Sequence, residues 1–238
     1  MSRTAQLALP LVLPAQAQKH VTVNEALARL DAAAQLRVVS FAETAPPPSA
    51  VDGAGYAVPG GASGAWAGKA GQIAIWCNGG WIFLAPKAGW RAWDEAAGAS
   101  RTFDGVGWVA NAVAVSAGGA ASTCRVLEFD HSIVPGSTNL TLAAIPAMAQ
   151  VVGVTGRVTA AIAGTGLTGW RVGVSGSDDR YGTGLGTAAN SYLLGLSGTP
   201  VTYYAATPLL LSAEGGSFSG GVVRLAVHLV ELVPPREV

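Results

Sequence analysis

Apolar and polar positions change period once along this chain. In residues 23–38, Leu27, Leu30, Ala34 and Val38 recur at helical spacing, with Glu25 in the first turn and Thr22 or Asn24 placed to cap it. That spacing predicts one helix over 23–38, stopped by Ala45-Pro46-Pro47-Pro48-Ser49. Beyond Tyr56 the period shortens to two. Short apolar-alternating runs are predicted near 72–76, 81–85, 90–93, 100–103 and 107–110, separated by glycine turns. A second series begins at Arg125-Val126-Leu127-Glu128-Phe129. It continues through Asn139-Leu140-Thr141-Leu142, 150–162, 170–174, Val201-Thr202-Tyr203-Tyr204, Leu209-Leu210-Leu211 and 222–232. Strands every 8–12 residues without helices predict an antiparallel β-sandwich or jelly roll. The expected fold is therefore mainly β. Residues 1–111 form a short helix and a β-meander, 112–124 a linker rich in small residues, and 125–238 the sandwich.

The meander holds six of the seven tryptophans, between Gly64 and Trp108. Trp76-Cys77-Asn78-Gly79-Gly80-Trp81 aligns with Phe103-Asp104-Gly105-Val106-Gly107-Trp108 as an internal repeat. In each, two aromatic residues five apart flank a glycine turn, which predicts a hairpin with both rings on one face. Rings so placed pack in a core or stack on sugars. Most hairpin tryptophans do the former.

Composition narrows the partners. Only 12% of the 238 residues are charged, and 14 basic residues balance 14 acidic ones. A net charge of zero removes the electrostatic case for nucleic acid or an anionic membrane surface. A poorly charged, Gly-rich β chain suits a homo-oligomer whose subunits cover one another's apolar surface. Cys77 and Cys124 match no metal spacing, and with three histidines no zinc site or other cofactor is expected. Leu7 to Leu13 followed by Ala15-Gln16-Ala17 imitates a secretion signal, but Pro10 and a single preceding Arg3 argue against one. The uncharged stretch 182–213 is broken by Pro200 and Pro208, so no membrane insertion is expected.

No catalytic motif is present, and the chain is not expected to be an enzyme. Gly164-Thr165-Gly166-Leu167-Thr168-Gly169 has the letters of a dinucleotide loop but precedes a strand instead of opening a helix. The densest polar cluster is Ser175 to Gly182, read as a loop after the strand at Trp170. Asp178, Asp179, Arg180 and Tyr181 there combine carboxylates, a guanidinium and a ring, the chemistry of a sugar contact. An ordinary exposed turn, or a calcium site at Asp178 and Asp179, are the other readings. Tyr203-Tyr204 puts one ring inward and one outward, the latter a stacking candidate, and Trp170 completes the candidate glycan-binding set. A glycosidase pair would need two of Asp178, Asp179 and Glu214 to face each other at about 5–9 Å. His228 reads as a structural histidine.

Leu9-Pro10-Leu11, then Gln16-Ala17-Gln18-Lys19-His20-Val21-Thr22-Val23-Asn24-Glu25-Ala26-Leu27, resemble a domain of unknown function encoded among structural genes of alphaproteobacterial prophages and gene transfer agents. The likeness continues through Gly64-Ala65-Trp66-Ala67-Gly68, Gly80-Trp81-Ile82-Phe83-Leu84-Ala85-Pro86 and Gly89-Trp90, over roughly residues 5–110. A weaker one, to domains that follow it, lies at Tyr203–Pro208 and Gly220–Leu225. The resemblance implies a fibre or head spike on a virion or particle surface, made in the bacterial cytoplasm. Its first domain would hold other particle proteins, its second host-surface polysaccharide, and a trimer follows by analogy with fibres. A purely structural particle component and a capsule-degrading enzyme are the alternatives.

Overall fold

A computed structural model of the chain describes residues 3–4, 9–11 and 19–237, without the side chains of 19–22, 143 and 144. Most of the signal-like run and the first part of the Gln16–Asn24 motif lie outside the described residues. The fold is mainly β with one short helix near its start. It divides into two compact units, Met1–Ala121 with Pro234–Val238, and Ser122–Val233.

In the first unit, helix α1 spans Lys19–Ala34, four residues earlier than the apolar spacing predicts. The residues expected to end it instead form strand β1, Arg37–Val38, parallel to β5 (Arg91–Asp94). Trp93 N–H donates to the Leu36 carbonyl and Glu95 N–H to that of Val38, and Leu36 and Val38 are buried. Backbone pairing and burial thus outweigh helical spacing, and Thr22 and Asn24 lie inside the helix instead of capping it.

The remaining strands are β2 (Gly55–Ala57), β3 (Ile73–Cys77), β4 (Gly80–Leu84), β6 (Ala99–Phe103), β7 (Trp108–Ala110) and β8 (Ala112–Val115). β1 to β7 form the sheets β1-β5-β6-β7 and β2-β3-β4. The internal repeat is two aromatic hairpins. Trp76 faces Trp81 across β3–β4 with ring centroids 5.0 Å apart, and Phe103 faces Trp108 across β6–β7 at 5.2 Å. Asn78 and Gly79, both at positive φ, turn the first hairpin. In the second the Asp104 carboxylate accepts the N–H groups of Val106 and Gly107 at 2.8 Å. Trp66 is fully buried against Tyr56 and Trp81.

Residues 112–124, expected as a linker, carry β8 and the start of β9 (Ala121–Ser132). A tight turn joins the two: Ser116 N–H reaches the Ala120 carbonyl and the Ser116 hydroxyl accepts Ala120 N–H. Small residues here permit a turn between strands and do not make the segment free.

The second unit contains β9, β10 (Thr138–Ile145), β11 (Ala149–Thr165), β12 (Gly169–Val174), β13 (Ser177–Leu185), β14 (Tyr192–Tyr203), β15 (Thr207–Glu214) and β16 (Ser217–Val233). One sheet runs β10-β15-β12-β13; the unit's strands of the other run β14-β11-β16-β9. β11 pairs antiparallel with both β14 and β16, and β12 with both β13 and β15. Val151, Val154, Val158, Leu193, Leu225 and Val227 from one sheet meet Trp170, Val172, Leu209 and Leu211 from the other in a single core. Such a core is the main source of stability of a sandwich.

Candidate functional site

Ser175 to Gly182 is not a loop but most of a hairpin. Val174 faces Ser177 in register, so Ser175 and Gly176 alone make the turn, with Gly176 at φ 83°. β13 follows at once; Asp179 and Arg180 on it are exposed, and Tyr181 next to them is its one buried residue.

The strand separates the residues grouped by sequence. Tyr181 points inward and is buried, its hydroxyl 2.7 Å from that of Tyr203, which is buried too. Trp170 is also in the core, and its indole N–H donates to the Gly186 carbonyl at 3.0 Å. Three of the seven candidate glycan-binding residues, Trp170, Tyr181 and Tyr203, therefore present no ring face to a ligand. They are corrected to core residues, held there because each polar tip finds an internal partner.

Asp178, Asp179, Arg180 and Tyr204 remain at least partly accessible. Arg171 on β12 donates from Nε to the Asp178 carboxylate at 2.8 Å, tying the two arms of the hairpin together. Asp179 and Arg180 are exposed beside that pair. Tyr204 is exposed just past the end of β14.

Glu214, at the end of β15, completes the polar end of this sheet. Its carboxylate accepts the Thr183 hydroxyl at 2.6 Å and Gly184 N–H at 3.1 Å. The Thr183 hydroxyl first, then Gly184 N–H, hold it below the usual carboxylate range, with Arg171 adding to the effect and Asp178 opposing it. A carboxylate so stabilised stays ionised and is a poor proton donor. The arrangement offers fixed acceptors and donors to hydroxyl groups, but not a general acid. Among the described residues no cluster of three or more His, Cys, Asp or Glu could hold a metal, and no helix is long and apolar enough to cross a membrane. Cys77 and Cys124 are both free.

In the first unit, sequence reasoning missed Trp93. Its ring is 48% exposed on β5 while Ala92 and Asp94 on either side are buried. The signal was present, since Arg91-Ala92-Trp93-Asp94 places Trp93 on the same face as Arg91.

Residues 23–109 match a family described as a protein of unknown function, DUF2793. No curated protein matches the chain. Among solved structures, a chain of the "Cyanophage Pam1 capsid asymmetric unit" is similar at 21% identity and a TM-score of 0.31, covering 47% of this chain and 84% of that one.

Proposed function

We propose that this chain is a fibre or head-spike component on the surface of a phage-like particle or gene transfer agent, and that it attaches the particle to host-surface polysaccharide. The particle setting is supported by the likeness of residues 5–110 to structural proteins of prophages and gene transfer agents. The first unit holds other particle proteins, and the chain works as a homotrimer, so that several weak sugar contacts act together.

The β12–β13 hairpin carries the adhesion reading. A short hairpin cross-tied by Arg171 and Asp178 carries Asp179 and Arg180 exposed on its second strand. Carboxylate and guanidinium groups on one strand can hydrogen-bond sugar hydroxyls. The role proposed is binding without bond cleavage.

The test is a pull-down of the full chain on purified host capsular polysaccharide, with Asp179→Ala and Arg180→Ala beside it. Retention of the parent chain and at least fivefold weaker retention of both variants is expected. A parent chain that is not retained favours the purely structural reading, and release of new reducing ends would establish the enzymatic one.

A further inference from the structure

The outward face of the strands β14-β11-β16-β9 carries a hollow that follows from side-chain size. Thr155 on β11 stands in register between Leu194 on β14 and Ala226 on β16, and these small residues make a low floor. Two residues along β11, Arg157 stands in register between Tyr192 and Arg224. Glu128 on β9 also lines the hollow, which measures about 450 Å³. Tyr192 and Leu194, on the β14 side, are each 69% exposed.

The polar groups around the hollow fall into two kinds. Arg224 is occupied, since its Nε and Nη2 donate to the Asp130 carboxylate at 2.7 and 2.8 Å. The Thr155 hydroxyl likewise lies 3.0 Å from His228 Nε2. Arg157 donates only from Nη1, to the Asn190 carbonyl at 3.1 Å, and among the described residues its other N–H groups have no partner. Glu128 adds to the field around Arg224 without bonding it. Neither Arg157 nor Glu128 makes an ion pair among the described residues. Their strands are two apart, roughly 9–10 Å between backbones. The hollow therefore holds a strong donor and a strong acceptor that do not satisfy each other.

That set of groups selects among occupants. A phosphate chain such as a nucleic acid would meet the Glu128 and Asp130 carboxylates. A protein surface would have to pair Arg157 and Glu128 separately as it stripped them of water, and the centres of protein interfaces are depleted in charged residues. A saccharide avoids both costs. Hydroxyl groups donate as well as accept, so one molecule can donate to Glu128, accept from Arg157 and lay its C–H face on the Tyr192 ring. A concave site with an apolar wall and a few convergent polar groups suits a ligand of this size.

We infer that this hollow binds a neutral saccharide, stacked on Tyr192 and hydrogen-bonded between Arg157 and Glu128. Neutrality follows from the balance of Arg157 and Arg224 against Glu128 and Asp130. The inference shares with the proposed function the premise of a saccharide ligand. It lies on the opposite sheet from the β12–β13 hairpin and uses none of that hairpin's residues.

The experiment titrates the full chain with hexasaccharides of glucose, mannose, galactose and N-acetylglucosamine, and with a hexauronate, by amide chemical-shift perturbation. At least one neutral hexasaccharide should bind, and more tightly than the hexauronate. Tyr192→Ala, Arg157→Ala and Glu128→Ala should each bind it about fivefold more weakly, as the loss of one stacking or polar contact predicts. Tyr192→Phe, which keeps the ring, should match the parent. All three positions are exposed, so circular dichroism and melting temperature should not change. Asp179→Ala and Arg180→Ala should bind the hexasaccharide as the parent does. No bound neutral hexasaccharide, a preference for the hexauronate, or parental affinity in Tyr192→Ala would overturn the inference. So would a loss confined to the two hairpin variants, an outcome that leaves the proposed adhesion site standing. Hexasaccharide binding by a chain that host polysaccharide does not retain would overturn the adhesion reading and leave the hollow in place.

Discussion

The phenol hydroxyls of Tyr181 and Tyr203 lie 2.7 Å apart, both buried, where β13 and β14 contribute to the core of the second unit. Either can donate, and each is the other's partner. Tyr181→Phe leaves the Tyr203 hydroxyl unpaired and should cost about 1–3 kcal/mol of unfolding free energy, measured by urea denaturation. The Tyr181→Phe, Tyr203→Phe double variant should lose less than the sum of the two, since neither orphan remains.

The same pair sets an alkaline limit. Burial, and then the bond to Tyr203, push the Tyr181 phenol well above its ordinary value near 10. A phenol harder to ionise when folded contributes stability that is intact below pH ~10 and lost as pH rises beyond it. Melting temperature followed from pH 8 to 12 should fall in the parent above about pH 10. In Tyr181→Phe the fall should be shallower. Equal slopes would remove this tyrosine from the account.

Asp104 should set an acid limit for the first unit. Burial opposes its charge, but the N–H groups of Gly107 and Val106 and the Arg236 guanidinium together outweigh that and hold the carboxyl below the usual range. A carboxyl easier to ionise when folded contributes stability present above about pH 4 and lost as pH falls further. Asp104→Asn should cost about 1–3 kcal/mol at pH 7 and reduce the acid dependence of melting between pH 5 and 2.

Two tryptophans of the same meander should behave in opposite ways. Trp66 is 0% exposed and packed on Tyr56 and Trp81, so Trp66→Ala should cost about 3–5 kcal/mol. Trp93 is half in solvent, and Trp93→Ala should cost under about 1 kcal/mol. Chemical denaturation of the full chain compares them directly.

Gly195 reports how closely β14 approaches β13. A Cβ there would meet the Tyr181 carbonyl oxygen at 2.0 Å, and backbone cannot swing aside as a side chain can. Gly195→Ala should destabilise the second unit by about 1–3 kcal/mol or more, whereas Gly198→Ala, in open space on the same strand, should be nearly neutral.

The hairpins were legible because glycine turns and aromatic neighbours are local signals: Trp76-Cys77-Asn78-Gly79-Gly80-Trp81 is enough to place two strands and their register. The end of α1 was not, because what pulls Leu36 and Val38 out of the helix is β5, more than fifty residues away in sequence. Of the candidate residues, Trp170, Tyr181 and Tyr203 were misplaced because they face the core. Ser175 to Gly182 reads as a polar loop until a two-residue turn makes it a strand, and then Tyr181 falls on the opposite face from Arg180. In β10 the same letters that predict a strand hide which side faces out, since only Val134 and Leu209 reveal why Asn139 and Thr141 are inside.

Pro234–Val238 belong to the first unit, where Arg236 binds the Asp104 carboxylate and the Ala117 carbonyl. The second unit is therefore a cassette spliced into the first, and its two junctions lie side by side, with Thr123 bonded to the Glu231 carbonyl and Arg125 to the Glu231 carboxylate. Any domain that delivers its ends as a neighbouring pair of strands could take its place without disturbing the meander. Exchange of one contiguous piece of sequence would then replace the whole second unit and leave both chain segments of the first unchanged.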